Sequence, residues 1–261
     1  MGRLIRSVRQ AFAILEALSL TSEGMGVTAV ARQLALGKST IHAQLTTLCQ
    51  LGYVEKDPTS GNYRLGIRLF QLANAVPLVA DLRSAAGPYL QQLVEKYQET
   101  AHLVILDGGE VLYVDKRESP RSTHVVSQVG RKLPCHCTGV GKVLLAHLPK
   151  DQLGSIIEKG LPRFTARTIT DPHRLYEELK LIQERGYAID DEEIMDGLRC
   201  VAAPIRNYTG SVIAAISVSG PVSRMPLNQL PQIAKEVIDT ANRISYRLGW
   251  NPDRHQAAFP Q

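Results

Sequence analysis

No apolar run in this 261-residue chain approaches the roughly 20 residues needed to cross a bilayer. The opening MGRLIRSVRQAF reads as a short basic arm leading into a helix, so a cytoplasmic location is expected. Cysteine is scarce: Cys49, Cys135, Cys137 and Cys200 have neither the regular spacing nor the secretory context of a disulfide framework, and reduced thiols are expected. Internal repeats and low-complexity tracts are absent. Net positive charge is missing from most of the chain. Arg3, Arg6, Arg9, Arg32, Lys38, Lys56, Arg64 and Arg68 oppose only Glu16, Glu23, Glu55 and Asp57, so the first 80 residues carry +4 of a net +5. That distribution argues against a nucleic-acid surface over the whole molecule and for one basic module joined to a near-neutral one. With 44% hydrophobic residues, the length suits two modest domains.

The basic part is patterned. A first helix is expected from about Arg6 to Ser19, with Val8, Ala11, Phe12, Leu15 and Leu18 on its buried face. Arg3, Arg6 and Arg9 at its start suit either an arm reaching a phosphate or narrow minor groove, or a solvated terminus. Val30, Ala31 and Leu34 mark a short second helix with Thr28 as N-cap, and Leu36 and Gly37 turn the chain. A third helix opens at Lys38, Ser39 and Thr40, buries Ile41, Leu45, Leu48 and Leu51, and ends at Gly52. Its other face carries Lys38, Ser39, Thr40, His42, Ala43 and Thr46, small or polar groups suited to phosphates and base edges in a major groove. Tyr53 to Lys56 and Asn62 to Leu65 read as strands around the turn Asp57-Pro58-Thr59-Ser60-Gly61. The pattern is that of a winged helix-turn-helix, and a double-stranded DNA partner is expected.

The stretch LALGKSTIHAQLTTLCQLGYVEKDPTSGNYRLG resembles the DNA-binding domain of the IclR (isocitrate lyase regulator) family of bacterial transcription factors. The match runs from about Arg6 to Leu248. It departs at Ala43 and Gln44, where the family often places a basic residue and then Leu. The resemblance implies an α+β protein: residues 1–66 a winged helix-turn-helix, 67–80 a linker helix, 81–250 a GAF/profilin-like α/β effector-binding domain with a mainly antiparallel sheet, and 251–261 a frayed tail. The linker, with its Leu69-Phe70 stripe, pairs two chains in that family, which implies a homodimer or tetramer on a palindromic operator.

In the downstream part, a helix is expected over Asp81 to Tyr97. Leu103 to Leu106 and Val111 to Val114 form a hairpin across Asp107-Gly108-Gly109-Glu110, and a further strand lies near His124 to Val129. Helices follow at Gly139 to His147, Lys150 to Glu158 and Asp171 to Arg185. Strands at Tyr187 to Glu192, Arg199 to Ile205 and Ser211 to Ser219 precede a last helix over about Leu227 to Leu248. The order is not the repeating βα of a Rossmann fold.

Three segments carry candidate ligand chemistry. Thr138-Gly139-Val140-Gly141 opens a helix capped by Thr138, and its amides and bare glycines suit a small carboxylate. Asp190 shares a strand face with Ala188 and Glu192. Taken alone it reads as a solvated or ion-paired surface acid, as charge runs usually do. Ser217 and Ser219 share a face and offer hydroxyls. In the resembling family the residues matching Gly139, Val140, Asp190, Leu198, Cys200, Ser217 and Ser219 line the effector cavity. The combination suits a hydroxy, keto or sugar acid better than an aromatic one, with no further cofactor and no catalysis. Two alternatives stay open: a GAF-like thiol enzyme using Cys135, Cys137 or Cys200, and a metal-responsive regulator using Cys135-His136-Cys137, whose alternation would point His136 away from both thiols.

Overall fold

The computed structural model describes residues 5–21, 23–74, 77–122 and 127–251, which fall into two compact units parting between Ala80 and Asp81. Residues 252–261 of the expected tail lie outside the described residues.

The first unit contains α1 (Arg6–Ser19), α2 (Val27–Gln33), α3 (Lys38–Gln50), β1 (Val54–Lys56), β2 (Tyr63–Leu65) and α4 (Arg68–Asn74). Its core gathers Ile14 and Leu18 of α1, Val30 and Ala31 of α2, Ile41, Leu45 and Leu48 of α3, and Val54 and Tyr63 of the hairpin. The expected stripe on α1 is therefore rotated: Ile14, Ala17 and Leu18 are buried, while Val8 and Phe12 are 50% and 62% exposed. Both faces of this helix are apolar, and periodicity alone did not choose between them.

Helix ends also differ from the simplest reading. Thr28 is not the N-cap of α2: that position is Gly26, without a side-chain cap, and Thr28 is exposed in the first turn. The left-handed residue between α2 and α3 is Ala35 (φ 51°), whereas Gly37 has ordinary negative φ and precedes α3. Gly52 does end α3. Its φ is 76°, its N–H reaches the Cys49 carbonyl and the Tyr53 N–H reaches that of Leu48, a Schellman closure. Leu51, expected in the buried stripe, is 47% exposed.

The second unit runs α5 (Pro77–Tyr97), β3 (Thr100–Asp107), β4 (Glu110–Arg117), β5 (Lys132–Pro134), α6 (Gly139–Ala146), α7 (Lys150–Ile157), α8 (Pro172–Arg185), β6 (Ala188–Asp191), β7 (Leu198–Arg206), β8 (Val212–Pro221) and α9 (Leu230–Arg247). Helix α5 begins before the expected Asp81, at Pro77; proline at a first helical position loses no bond. The Gly108-Gly109 turn has φ 66° and 94°, as a two-residue hairpin loop with positive φ at both positions requires. The strand expected at His124 to Val129 is displaced: 123–126 lie outside the described residues, 127–129 are not strand, and pairing with β4 is made by β5.

Among the described residues the strands form one antiparallel sheet ordered β5-β4-β3-β8-β7-β6. Directly opposed residues share a face. Asp190, Cys200, Ser219 and Thr100 therefore form one cross-sheet row, and Ala188, Ala202, Ser217 and His102 the next. Helix α6 covers that face, with α8 behind it. Residues of the other parity, such as Val201, Ala203 and Ile216, are buried as well, and α9 packs on β7 and β8.

Candidate functional site

In the first unit, Lys38, Ser39, Thr40, His42, Ala43 and Thr46 are all exposed along one side of α3. The Gly37 carbonyl accepts the Ile41 N–H and so begins the helix ladder. Arg6 and Arg9 of α1 border a groove with Gln10, Ala13, Leu34 and Leu36, next to the turn that feeds α3. Arg3 lies outside the described residues. Arg64 on the wing is exposed but is 3.4 Å from Glu55 on the facing strand. Exposed pairs of this kind contribute about 0–1 kcal/mol, so the guanidinium remains recruitable. The turn is held by Asp57, whose carboxylate accepts the Thr59 and Ser60 N–H groups at 2.8 Å.

In the second unit, a cavity of about 40 Å³ is walled by Thr138, Gly139, Val140, Asp190, Leu198, Cys200 and Ser219, together with His102, Tyr113, Ser127, Leu133, Ile194 and Met195. Every residue expected at a ligand site is present on this wall except Gly141 and Ser217. Thr138 caps α6, accepting the Gly141 N–H at 3.2 Å and donating to the Pro134 carbonyl at 3.0 Å. The two glycines have different roles. A Cβ on Gly139 would lie 3.2 Å from the Cys200 sulfur, 3.4 Å from the Ala202 Cβ and 3.5 Å from the Asp190 nitrogen, against the sheet beside the cavity. One on Gly141 would fall 2.3 Å from the Cys135 carbonyl oxygen, so Gly141 serves the close passage of the chain and not an approaching ligand.

His102 was not singled out by the sequence, and it organises this wall. It is 2% exposed; its Nδ1 lies 3.2 Å from the Ser217 hydroxyl and 3.4 Å from that of Ser219, and its Nε2 2.7 Å from that of Ser127. The Tyr113 ring meets it edge-on. Ser217 therefore stands behind His102. Burial lowers the imidazole pKa to about 3, so the ring is neutral, with one nitrogen donating and one accepting. The only sequence signal was register: a strand residue two positions before Val104 faces the same side.

Asp190 is not a surface acid. It is 2% exposed, and one of its oxygens accepts the Glu193 N–H at 2.8 Å. Glu192 does not continue its face, because β6 has ended and Glu192 turns left-handed at φ 62°. Beneath lies a second missed feature, a buried ion pair between Lys142 and Glu193, with the ammonium also donating to the Ile189 carbonyl at 2.6 Å. A lysine inside a glycine-rich helix start looks like a surface charge until α6 is packed on the sheet. Burial raises the Asp190 pKa to about 7, opposed by Lys142, and burial also raises that of Glu193.

Residues 7–58 match the IclR helix-turn-helix domain and residues 75–246 match the bacterial transcriptional regulator IclR C-terminal domain. The chain belongs to the IclR family. It is 35% identical over 248 residues to the HTH-type transcriptional regulator XynR of Escherichia coli, covering 95% of this chain and 98% of that one. It is 32% identical over 248 residues to the transcriptional repressor IclR of the same organism, covering 94% and 90%. Among solved structures, an IclR homologue from Microbacterium hydrocarbonoxydans, complexed with 4-hydroxybenzoate, superposes with a TM-score of 0.86 at 27% identity, covering 93% of this chain and 98% of that one.

As an IclR-type chain, the protein is a DNA-binding transcriptional regulator and not an enzyme. The thiols agree: burial pushes Cys135 and Cys200 up to about 12 and raises Cys137 as well, the reverse of what a nucleophilic cysteine requires. Residues 135–138 are not strand, so the alternation expected for Cys135-His136-Cys137 does not apply. His136 instead donates through Nε2 to the Pro162 carbonyl at 2.9 Å. Among the described residues, no three His, Cys, Asp or Glu side chains gather as a metal ion requires. At the family's departure point, Ala43 is exposed, while Gln44 turns inward and donates to Gln10 of α1 at 2.8 Å. No helix among the described residues is long and apolar enough to cross a membrane.

Proposed function

We propose that this regulator is a cytoplasmic repressor that binds a palindromic operator as a homodimer or tetramer and is controlled by a small organic acid in the second unit. Lys38 and Arg64 contact phosphates, with Arg6 beside them, Ser39, Thr40 and His42 meet bases or sugar, and Thr28 stands near the backbone. The acid is a hydroxy, keto or sugar acid. Its carboxylate meets the amides of Gly139 and Val140 at the start of α6 and its hydroxyl or carbonyl meets Asp190 and Ser219, with Thr138, Leu198 and Cys200 closing the wall and Ser217 acting through His102. The observation that carries this reading is the convergence of a capped helix start, a buried carboxyl and hydroxyls on one cavity.

The cavity of about 40 Å³ exceeds the roughly 10–15 Å³ that one water requires, and Ile194 and Met195 of the loop after β6 form part of its wall. An aromatic acid is the second reading, favoured by Tyr113 on the wall and by the relative complexed with 4-hydroxybenzoate. The test is a thermal-shift screen of lactate, pyruvate, glycerate, gluconate and 4-hydroxybenzoate, followed by gel-shift titration against the DNA upstream of the protein's own gene. At ~100 times its dissociation constant a specific acid adds about 2.7 kcal/mol of stability. The proposal expects that acid to release the DNA; no shift with any acid would remove the effector assignment, and no binding to the upstream DNA the operator assignment.

A further inference from the structure

The reading of the cavity as an acid-binding site leaves open how a carboxylate is accommodated beside Asp190. The groups facing Asp190 come from six directions. Lys142 reaches it from α6 and Glu193 from the loop after β6, while Glu178 of α8 acts one step removed, on Glu193 and Lys142. Tyr113 of β4, Cys200 of β7 and Cys137 before α6 complete the titratable neighbours, and His102 of β3 shares the wall.

Among these, Lys142 is the cation, and it is already engaged: it pairs with Glu193, donates to the Ile189 carbonyl at 2.6 Å and lies 3.9 Å from Glu178. The second oxygen of Glu193 is buried with no hydrogen-bond partner, so the ammonium has no charge to spare for a further anion. Asp190 meanwhile has backbone N–H groups for partners, with the Glu193 N–H at 2.8 Å. An organic carboxylate at the Gly139 end of α6 would meet an ionised Asp190 that is 2% exposed. Two carboxylates in one such site do not both stay charged; one takes a proton.

We propose that the cavity takes up its organic acid as a monoanion together with one proton from solvent, which settles on Asp190 so that the two carboxyl groups are held as an acid–carboxylate hydrogen-bonded pair. The only covalent change is the O–H bond formed at Asp190 at the expense of one in the buffer acid, and the site gains no net charge.

Burial places Asp190 near neutrality, at about 7; it raises Glu193 too, against the Lys142 ion pair that lowers it. Tyr113 and the Cys137 and Cys200 thiols are pushed up by burial and stay protonated, and His102, at about 3, stays neutral. Because the ligand-free group titrates near neutrality and the bound one well above it, uptake should be small at about pH 6 and approach about one proton at about pH 8. Affinity should be flat below about pH 6 and fall roughly tenfold per pH unit above about pH 7.

Titration calorimetry of the full chain with lactate, pyruvate, glycerate and gluconate, which stay ionised across this range, tests the proposal in pairs of buffers with different ionisation heats. The expected result is a heat that depends on the buffer at about pH 8 and hardly at about pH 6. Asp190→Asn keeps an acceptor for the Glu193 N–H and has no proton to gain, so its binding should lose both the buffer dependence and the pH slope. Wild-type binding with equal affinity and no proton uptake at both pH values overturns the proposal and leaves the acid-binding reading intact, as does uptake that persists in Asp190→Asn. No binding by any of these acids at about pH 6, where Asp190 already carries its proton, removes the small-acid reading and the proposal with it. If Asp190→Asn fails to fold, the wild-type buffer dependence decides alone.

Discussion

At the scale of single residues, placement decides which charges act. Lys38 stands exposed at the start of α3 with no ion-pair partner among the described residues, whereas Arg64 must exchange its weak, exposed contact with Glu55. Lys38→Ala is expected to weaken binding to specific and random duplexes alike and to flatten the dependence of log affinity on log salt by about 0.9 unit. Thr40 and His42 substitutions should instead alter sequence preference; fluorescence anisotropy at several salt concentrations separates the two effects, and an unchanged slope would count against Lys38 as a phosphate contact. Asp190 acts on stability in the opposite sense to an ordinary acid. Its folded pKa of about 7 lies above the unfolded carboxylate value, so the folded state holds a proton that the unfolded chain releases. The stabilisation is fully present below about pH 4 and is lost as pH rises through about 7. Asp190→Asn should therefore match the wild-type melting temperature near pH 4 and exceed it by several degrees near pH 8. A gap that narrows with rising pH would contradict the buried, protonated carboxyl.

At the scale of elements, the start of α6 shows how one sequence signal carries two physical roles. Gly141→Ala forces a Cβ to 2.3 Å from the Cys135 carbonyl oxygen and 2.5 Å from the Thr138 hydroxyl, where backbone and cap must both move. A loss of about 4 kcal/mol or more in urea unfolding is expected. Gly139→Ala meets the Cys200 sulfur at 3.2 Å and the Ala202 Cβ at 3.4 Å, a tight fit beside the cavity that should cost about 1–3 kcal/mol. Equal stability in both variants would show that the strand-to-helix passage is looser than described. The cap itself was legible, since Thr138 precedes the apolar run, and so was α8, where Asp171 accepts the Arg174 N–H and Gly186 closes at φ 80°. What the spacing could not assign was which glycine faces the ligand, because that depends on the sheet face beneath.

At the scale of the whole molecule, apolar surface remains on the first unit. Val8 and Phe12 on α1, and Ile67, Phe70 and Leu72 on and beside α4, are each half or more exposed. An isolated soluble chain rarely leaves so many large side chains uncovered, and a second copy is the occupant proposed here. Phe12→Ser and Phe70→Ser should each lower the dimer fraction in sedimentation at micromolar protein and weaken operator binding, with little change in the melting of the second unit. A dimer would place its recognition helices about 34 Å apart or a multiple of it. Inserting half a helical turn between operator half-sites should therefore abolish binding that a full turn restores. Serine variants that stay fully dimeric would place the pairing surface elsewhere.

The sequence alone determined the modules of this protein, because local rules act over a few residues: the α3 stripe with its Gly52 closure, the glycine hairpin at 108–109, the Thr138 cap and the concentration of basic charge in the first 80 residues. Its resemblance to the IclR family reached the cavity residues through the same local words. The tertiary structure decided everything that depends on a partner distant in the chain. It chose Ile14 over Phe12 as the buried side of α1, brought His102 against Ser217 across 115 residues, and buried Lys142 with Glu193 across 51. It also turned Asp190 from an apparent surface acid into a carboxyl poised near neutrality. The physical reason is common to all of these. Periodicity states that a face is apolar or polar, but the dielectric and the partners that give a side chain its charge are set only when another element closes over it.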